Sequence, residues 1–251
     1  MNLLVQLENF SVHYRRDAAL QDVSLDIEAG EILAIIGESG SGKSTLALAL
    51  ADLLPANAAV SGYINWAEGK PKPGSDIGFV FQDPASSLDP LMSVGAQLVE
   101  TIRAHEKIDG KAAKSKAVRL LERVHIPEPA DSFSRYPHQF SGGQKQRIAI
   151  ALAIAAYPRV LIADESTSAL DTIVQKEIVT LLRELVRADG MTLIFITHDI
   201  ALASNLADRI AVFRQGTLLE CGAAKEIIRY PQCDYTKALI SAVPTLEVAH
   251  A

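Results

Sequence analysis

Eight consecutive residues, Gly37-Glu38-Ser39-Gly40-Ser41-Gly42-Lys43-Ser44, have the composition and spacing of a polyphosphate cradle. They fit the pattern GxxxxGK[ST], in which glycines let successive backbone N–H groups turn toward one anion. In that pattern Lys43 reaches the terminal phosphates and the Ser44 hydroxyl, with Thr45 beside it, serves a bound Mg²⁺. The continuous apolar run Ile32-Leu33-Ala34-Ile35-Ile36 leads into the loop as a buried parallel strand would. Lys43 to Leu54 reads as a helix stopped by Pro55. Its N-terminus brings roughly half a positive charge to the loop.

A second set of residues could act on whatever the loop holds. Val160-Leu161-Ile162-Ala163 is an apolar strand ending in Asp164-Glu165. Asp164 at the strand tip can face a Mg²⁺ shell while Glu165 points elsewhere and polarises a water. General-base help of this kind contributes roughly 10²–10⁴ in rate. The same two carboxylates could instead only cap the following helix. Gln82 ends the strand Ile77–Phe81 and opens the polar loop Asp83-Pro84-Ala85-Ser86-Ser87. His198 follows the β-rich run Leu193–Thr197, at the strand tip where parallel sheets bind ligands. The five other histidines have no such context. Ser141-Gly142-Gly143-Gln144 precedes a helix running from about Lys145 to Ala156, and alone it reads as a serine cap and a glycine turn. Ser168-Ala169-Leu170-Asp171 offers two further caps, and Tyr14 is a single aromatic at the end of a strand.

These residues need a scaffold, and the periodicity supplies one. Val5 to Tyr14 and Val23 to Ile27 alternate roughly, as half-buried antiparallel strands do. Gly62 to Trp66 reads as a short strand and Lys70 to Gly74 as a turn-rich break. From about Leu88 to Pro158 the pattern is mostly helical, which predicts an inserted helical subdomain. Ile173, Val174, Ile178, Val179, Leu182, Leu185 and Val186 form one face of a crossover helix. Met191 to Thr197 is the next strand, a short helix runs to Asp208, and Arg209–Phe213 and Thr217–Glu220 flank Gln215-Gly216 as a hairpin. Strands alternating with helices give an α/β core with a mostly parallel sheet.

Composition narrows the class. The chain has 251 residues, 49% hydrophobic and 22% charged, enough for one substantial core. A formal charge of −6 without a basic block argues against nucleic acid as a ligand. The purest apolar stretch, Ile148 to Ala156, is nine residues, about half of what a membrane-spanning helix requires. Met1 to Phe10 carries Glu8 and lacks a signal peptide's layout. Cys221 and Cys233 have neither CxxC spacing nor a histidine cluster, which argues against zinc and disulfides and for a reducing compartment.

Taken together and in this order, the segments resemble the motif set of ATP-binding cassette (ABC) ATPases, over nearly the whole chain. The resemblance implies a single ABC ATPase domain over 1–251, a P-loop core with N-terminal antiparallel strands, a helical subdomain at about 88–158 and a short tail at about 222–251. It implies ATP and Mg²⁺ as cofactors, with Ser44, Gln82 and Asp164 on the metal, Glu165 as the residue that activates water, and His198 as the switch histidine on the γ-phosphate. Tyr14 sits where the family stacks an aromatic on adenine. Ser141, Gly142, Gly143 and Gln144 correspond to the signature that grips the ATP of an opposite subunit, and Asp171 belongs to the D-loop that crosses the dimer interface. Phe140 stands where leucine is usual. Ser166 replaces the proline that usually follows the glutamate, which removes a constraint and adds an N–H donor.

Two segments resemble the dipeptide, oligopeptide and nickel importer branch: Gln82-Asp83-Pro84 with Ser87-Leu88-Asp89-Pro90, and Tyr230-Pro231-Gln232-Cys233-Asp234-Tyr235-Thr236-Lys237-Ala238-Leu239 through Pro244. The chain stops soon after Pro244 and lacks the cysteine-rich extension of many peptide members, so its compact length looks more like the nickel or metallophore members. The implied partners are a second ABC ATPase, identical or different, integral membrane permeases and, indirectly, an extracytoplasmic substrate-binding protein. The implied location is peripheral, on the cytoplasmic face of the inner or plasma membrane. Two other readings stay open: the ATPase of a soluble, phosphonate-degrading type of complex, and a regulatory partner that does not hydrolyse.

Overall fold

The computed structural model of the chain describes residues 2–15, 17–167 and 170–242, so Ser168, Ala169 and the tail residue Pro244 lie outside the described residues. In chain order the elements are β1 (Leu3–Tyr14), β2 (Asp17–Glu28), β3 (Ile32–Ile36), α1 (Lys43–Leu50), β4 (Ala58–Trp66), β5 (Ile77–Val80), α2 (Val94–His105), α3 (Gly110–Arg123), α4 (Pro129–Ser132), α5 (Gly142–Ala153), β6 (Val160–Asp164), α6 (Thr172–Asp189), β7 (Thr192–Thr197), α7 (Ile200–Leu206), β8 (Arg209–Arg214), β9 (Thr217–Ala223), α8 (Ala224–Arg229) and α9 (Asp234–Ser241). Two compact units result, one joining the residues up to Pro71 with those from Thr192 onward, the other Lys72–Met191. No helix among the described residues is long and apolar enough to cross a membrane.

In the first unit β2, β1 and β4 form an antiparallel sheet with β1 in the middle. Its alternation is only rough because the strands carry bulges. Val5 and Leu7 face inward two residues apart, but the next buried residue is Phe10, because Asn9 takes a left-handed φ of 48°. Opposite it, Asp22 has φ 50° and shifts the buried set from Leu20 to Val23. The Asn9 amide donates to the Asp22 carboxylate at 2.8 Å, which fixes both irregularities together. β4 begins at Ala58, earlier than its alternation predicts, by pairing Ala58 with Tyr14.

The same unit holds β7, β3, β8 and β9 side by side in that order. β3 is parallel to both β7 and β8, and all five of its residues are buried, as a central parallel strand requires. β9 returns antiparallel to β8 through Gln215 (φ 49°) and Gly216 (φ 80°), two positive φ values in succession, so the predicted hairpin forms. α1 stops at Leu50, well before Pro55. Its end is a left-handed Asp52 (φ 58°), with the Leu53 N–H donating to Leu48 O and the Asp52 N–H to Ala49 O. That double bond pattern closes the helix without any proline.

The second unit carries β5 and β6 in parallel register, with Val80 opposite Ala163. Gly78 lets the end of α5 approach β5, since a Cβ there would lie 2.3 Å from Ala153 O. α5 begins and ends three residues before its predicted limits, so Gly142–Gln144 are its first turn. α6 runs from the Asp171 cap to a left-handed Gly190 (φ 66°). Ile178, Val179, Leu182, Leu185 and Val186 are buried as predicted, but Ile173 is 73% exposed. It lies five residues before Ile178, about 140° around the helix from it, and falls off the stripe.

One half-buried ion pair ties the start of β3 to β8. Arg209 Nη1 donates to both Glu31 carboxylate oxygens (3.1 and 3.3 Å) and to Asp26 O, while Glu31 also accepts the Glu28 N–H. Burial pushes the Glu31 carboxyl above its ordinary value of 4.5, more than the Glu28 N–H and Arg209 pull it down. A pair of this kind fixes geometry more than it stabilises. With a raised folded value, Glu31 binds its proton more tightly in the native chain than in the unfolded one. The stability this contributes is complete below pH 4.5 and is lost as pH rises through the folded value. Urea unfolding of wild type and Glu31→Gln at successive pH values should therefore show the wild type losing ground relative to the variant as pH climbs above 4.5.

Candidate functional site

The sheet of the first unit builds the phosphate loop. β3 ends at Ile36, and Gly37 must be glycine because a Cβ would sit 2.2 Å from Phe213 O of β8. Gly42, with φ 95°, caps α1 and backs against β2, where a Cβ would lie 2.4 Å from Ala19 O. The hairpin turn braces the loop from the same side: the Gly216 N–H donates to Ser41 O (3.1 Å), and Gly216 O accepts the Gln21 N–H (2.8 Å). Lys43 is buried, yet its ammonium donates to Gly37 O (2.9 Å), Glu38 O (2.8 Å) and Ser41 Oγ (3.4 Å). Glu38, Ser39, Gly40 and Ser44 are exposed and Thr45 is half-buried. The loop thus presents a rim to solvent over a fixed cationic floor.

His198 belongs to this group. Ile36 and Thr197 are partners in the parallel register, so the phosphate loop and His198 leave the sheet at one edge. His198 is exposed, and the next residue, Asp199, caps α7 by accepting the Ala201 and Leu202 N–H groups. Tyr14 closes β1 opposite Asp17 and Ala58, on the hairpin whose other strand touches Gly42.

In the second unit, β5 and β6 end side by side and bring three predicted residues together. Asp164 is the last residue of β6. Glu165 then adopts φ 43°, a left-handed conformation uncommon for a non-glycine residue and a mark of sites that aim a side chain against backbone preference. Its carboxylate accepts from Gln82 Nε2 at 3.3 Å. Ser166 is buried, and its hydroxyl makes no hydrogen bond among the described residues.

The Ser141 segment and Asp171 open two neighbouring helices of the same unit. Ser141 caps α5 by accepting the Gln144 N–H (3.3 Å), while Gln144 Oε1 accepts the Ser141 N–H (3.0 Å), a reciprocal capping box. The serine-cap reading and the predicted position near a ligand are therefore compatible. Asp171 caps α6 by accepting from Ile173 and Val174. The two glycines differ. At Gly143 a Cβ would lie 2.6 Å from Val174 Cγ1, so α5 packs on α6 through it. At Gly142 the nearest atom would be Leu170 Cδ2, an ordinary 3.6 Å away.

Four contacts of the phosphate loop lie outside the predicted set: Ala19 O, Phe213 O, Gly216 and Tyr235, whose hydroxyl accepts the Glu38 N–H. The hairpin containing Gly216 and the tail containing Tyr235 are both legible as segments. Their proximity to the loop depends on strand order, which local patterns do not encode.

Residues 20–168 match the family model described as "ABC transporter". The chain is 43% identical over 244 residues to the oligopeptide transport ATP-binding protein OppD of Bacillus subtilis, covering 91% of this chain and 67% of that protein. It is 40% identical over 267 residues to the glutathione import ATP-binding protein GsiA of Escherichia coli K12, covering 97% of this chain but 42% of that protein. Among solved structures it resembles cbiO1 of Clostridium perfringens, part of the ABC transporter complex cbiONQ (TM-score 0.79, 28% identity, all of both chains). It also resembles a dimeric post-hydrolysis state of the ATP-binding cassette MJ0796 bound to ADP and phosphate (TM-score 0.76, 29% identity, 88% of this chain and 99% of that one).

The two signature glycines should separate in a stability measurement. Gly143→Ala should destabilise the fold by about 1–3 kcal/mol through overpacking against Val174. Gly142→Ala should melt no lower than wild type in a circular-dichroism scan.

Proposed function

Because this chain belongs to the ABC transporter family, we propose that it is the ATP-binding and ATP-hydrolysing subunit of a bacterial importer whose cargo is peptidic. The observation that carries hydrolysis is Glu165, turned into a left-handed conformation beside Asp164 with its carboxylate on Gln82. The relatives named for oligopeptide transport and glutathione import support the peptide arm of the branch expectation.

In this reading Lys43 contacts the β- and γ-phosphates, and α1 directs its positive end at them. Mg²⁺, a hard cation, takes oxygen ligands. The Ser44 hydroxyl, the Asp164 carboxylate and the Gln82 amide oxygen suit it, and none is a soft donor. The ion would neutralise phosphate charge. Glu165 orients the attacking water and accepts its proton, with His198 on the γ-phosphate. Phosphoryl transfer leaves the protein mainly positioning and charge stabilisation to do.

A second cassette completes the site. The Ser141–Gln144 turn faces the ATP held by the partner's phosphate loop, and Asp171 lies at the same interface. Gly142 supports this reading, because no contact within its unit demands a glycine there. Close approach of a ligand to the backbone would. Tyr14 is the candidate to stack on adenine. Closure of the pair would move membrane permeases through the loop after Gln82, on the cytoplasmic face, with an extracytoplasmic binding protein delivering cargo.

Glu165→Gln should keep ATP affinity, lower turnover by at least about 10²-fold, and accumulate an ATP-bound dimer on size exclusion. Turnover at the wild-type rate would remove Glu165 from the chemistry.

A further inference from the structure

The C-terminal segment marks the family branch, yet the function proposed above gives it no task. It reaches the phosphate loop through a hydrogen bond. Tyr235, at the start of α9, accepts the Glu38 N–H on its phenol oxygen at 3.1 Å, a contact between residues 197 apart in sequence. The ring is 8% exposed and packs in a cluster with Ile36, Ile200, Val212 and Ile227. The Arg214 guanidinium lies 4.8 Å from its centroid. The phenol is therefore anchored by this cluster and by Arg214 beside the loop. Burial pushes its pKa above the ordinary 10, so it meets Glu38 as a neutral hydroxyl at physiological pH.

The N–H that Tyr235 holds belongs to the peptide group joining Gly37 to Glu38. The carbonyl of that same planar group, Gly37 O, accepts from Lys43 Nζ at 2.9 Å. One rigid plane is thus fixed at both ends, by the phenol on one side and the ammonium on the other. Rotating it would withdraw Gly37 O from Lys43. The loop is also limited by backbone crowding at Phe213 and Ala19 and by the Gly216 N–H on Ser41 O, and none of these engages the Glu38 N–H.

We propose that Tyr235 is a positioning residue for nucleotide: it locks the Gly37–Glu38 peptide plane, and through it Lys43, in the conformation that receives phosphate. The inference rests on the ATP-binding reading and gives the tail its task. Preorganisation of this kind acts on affinity. Tyr235 touches no reacting group, so its loss should appear in KM and Kd and leave kcat alone.

The test compares Tyr235→Phe, which keeps the ring in its packing, with Tyr235→Ala, which does not. Hydrogen exchange of the loop amides is read without nucleotide, and affinity is read with a fluorescent ATP analogue. Tyr235→Phe should speed exchange at Glu38 and raise the analogue's Kd and the KM for ATP about fivefold, the scale of one neutral hydrogen bond. Its kcat should stay within about twofold of wild type, with a fall in melting temperature of no more than about 4 °C. Wild-type exchange and affinity in Tyr235→Phe, with only Tyr235→Ala impaired, would reduce the residue to packing and overturn the proposal. A wild-type protein that binds no nucleotide would defeat the ATP reading itself. The nucleotide-free exchange data tell that failure apart.

Discussion

A buried ammonium in a protein must be met by oxygen, and the Lys43 ammonium meets three oxygens supplied by its own loop. That requirement organises the first unit. For Gly37 O and Glu38 O to converge on one nitrogen, the chain must turn sharply after β3, and the turn brings Gly37 against Phe213 O with no room for a side chain. Ser41 then falls where the β8–β9 turn can donate to it through Gly216. Gly42 falls against Ala19 of β2. The order β7-β3-β8-β9 is what places Phe213 and Gly216 within reach, so the sheet and the loop specify each other. A phosphate arriving at this loop would meet a cation already desolvated and already aimed.

The second unit solves a different problem with the same device, a parallel strand ending in chemistry. A regular continuation of β6 would point Asp164 and Glu165 to opposite faces and stop there. The left-handed turn at Glu165 breaks that alternation, and the second carboxylate meets Gln82, two residues beyond β5. Of the two acidic neighbours, Glu165 is thereby given Gln82 as a partner from the adjacent strand.

What was legible in the sequence follows from how local each cause is. The phosphate loop, the apolar strands β3, β6 and β7 and the Gln215-Gly216 hairpin are set by consecutive residues, and each lies where its pattern predicts. Pro55 is a loud signal for the end of α1 and a left-handed Asp52 a quiet one, yet the helix ends at the quiet signal. The bulges at Asn9 and Asp22 blurred the alternation of β1 and β2 because each depends on the other strand. The hydrophobicity of Ile173 places it on the buried stripe, but its angle around α6 excludes it. The support of the loop by Phe213, Gly216 and Tyr235 had no local trace at all, since it exists only once β8 and α9 are in place.

The signature turn shows why a cap and a binding site need not compete. The capping box engages Ser141 Oγ as an acceptor and Gln144 Oε1 as another, and it occupies the N–H groups of Ser141 and Gln144. It leaves the Ser141 hydroxyl proton and the Gly142 and Gly143 N–H groups, which have no carbonyl within α5 to bind. An anion approaching from outside therefore finds donors that the cap has oriented and not consumed. Of the two glycines, Gly143 answers to Val174 and Gly142 to no neighbour in its unit. Packing explains the first, and the proposed close approach of a ligand to that backbone would account for the second.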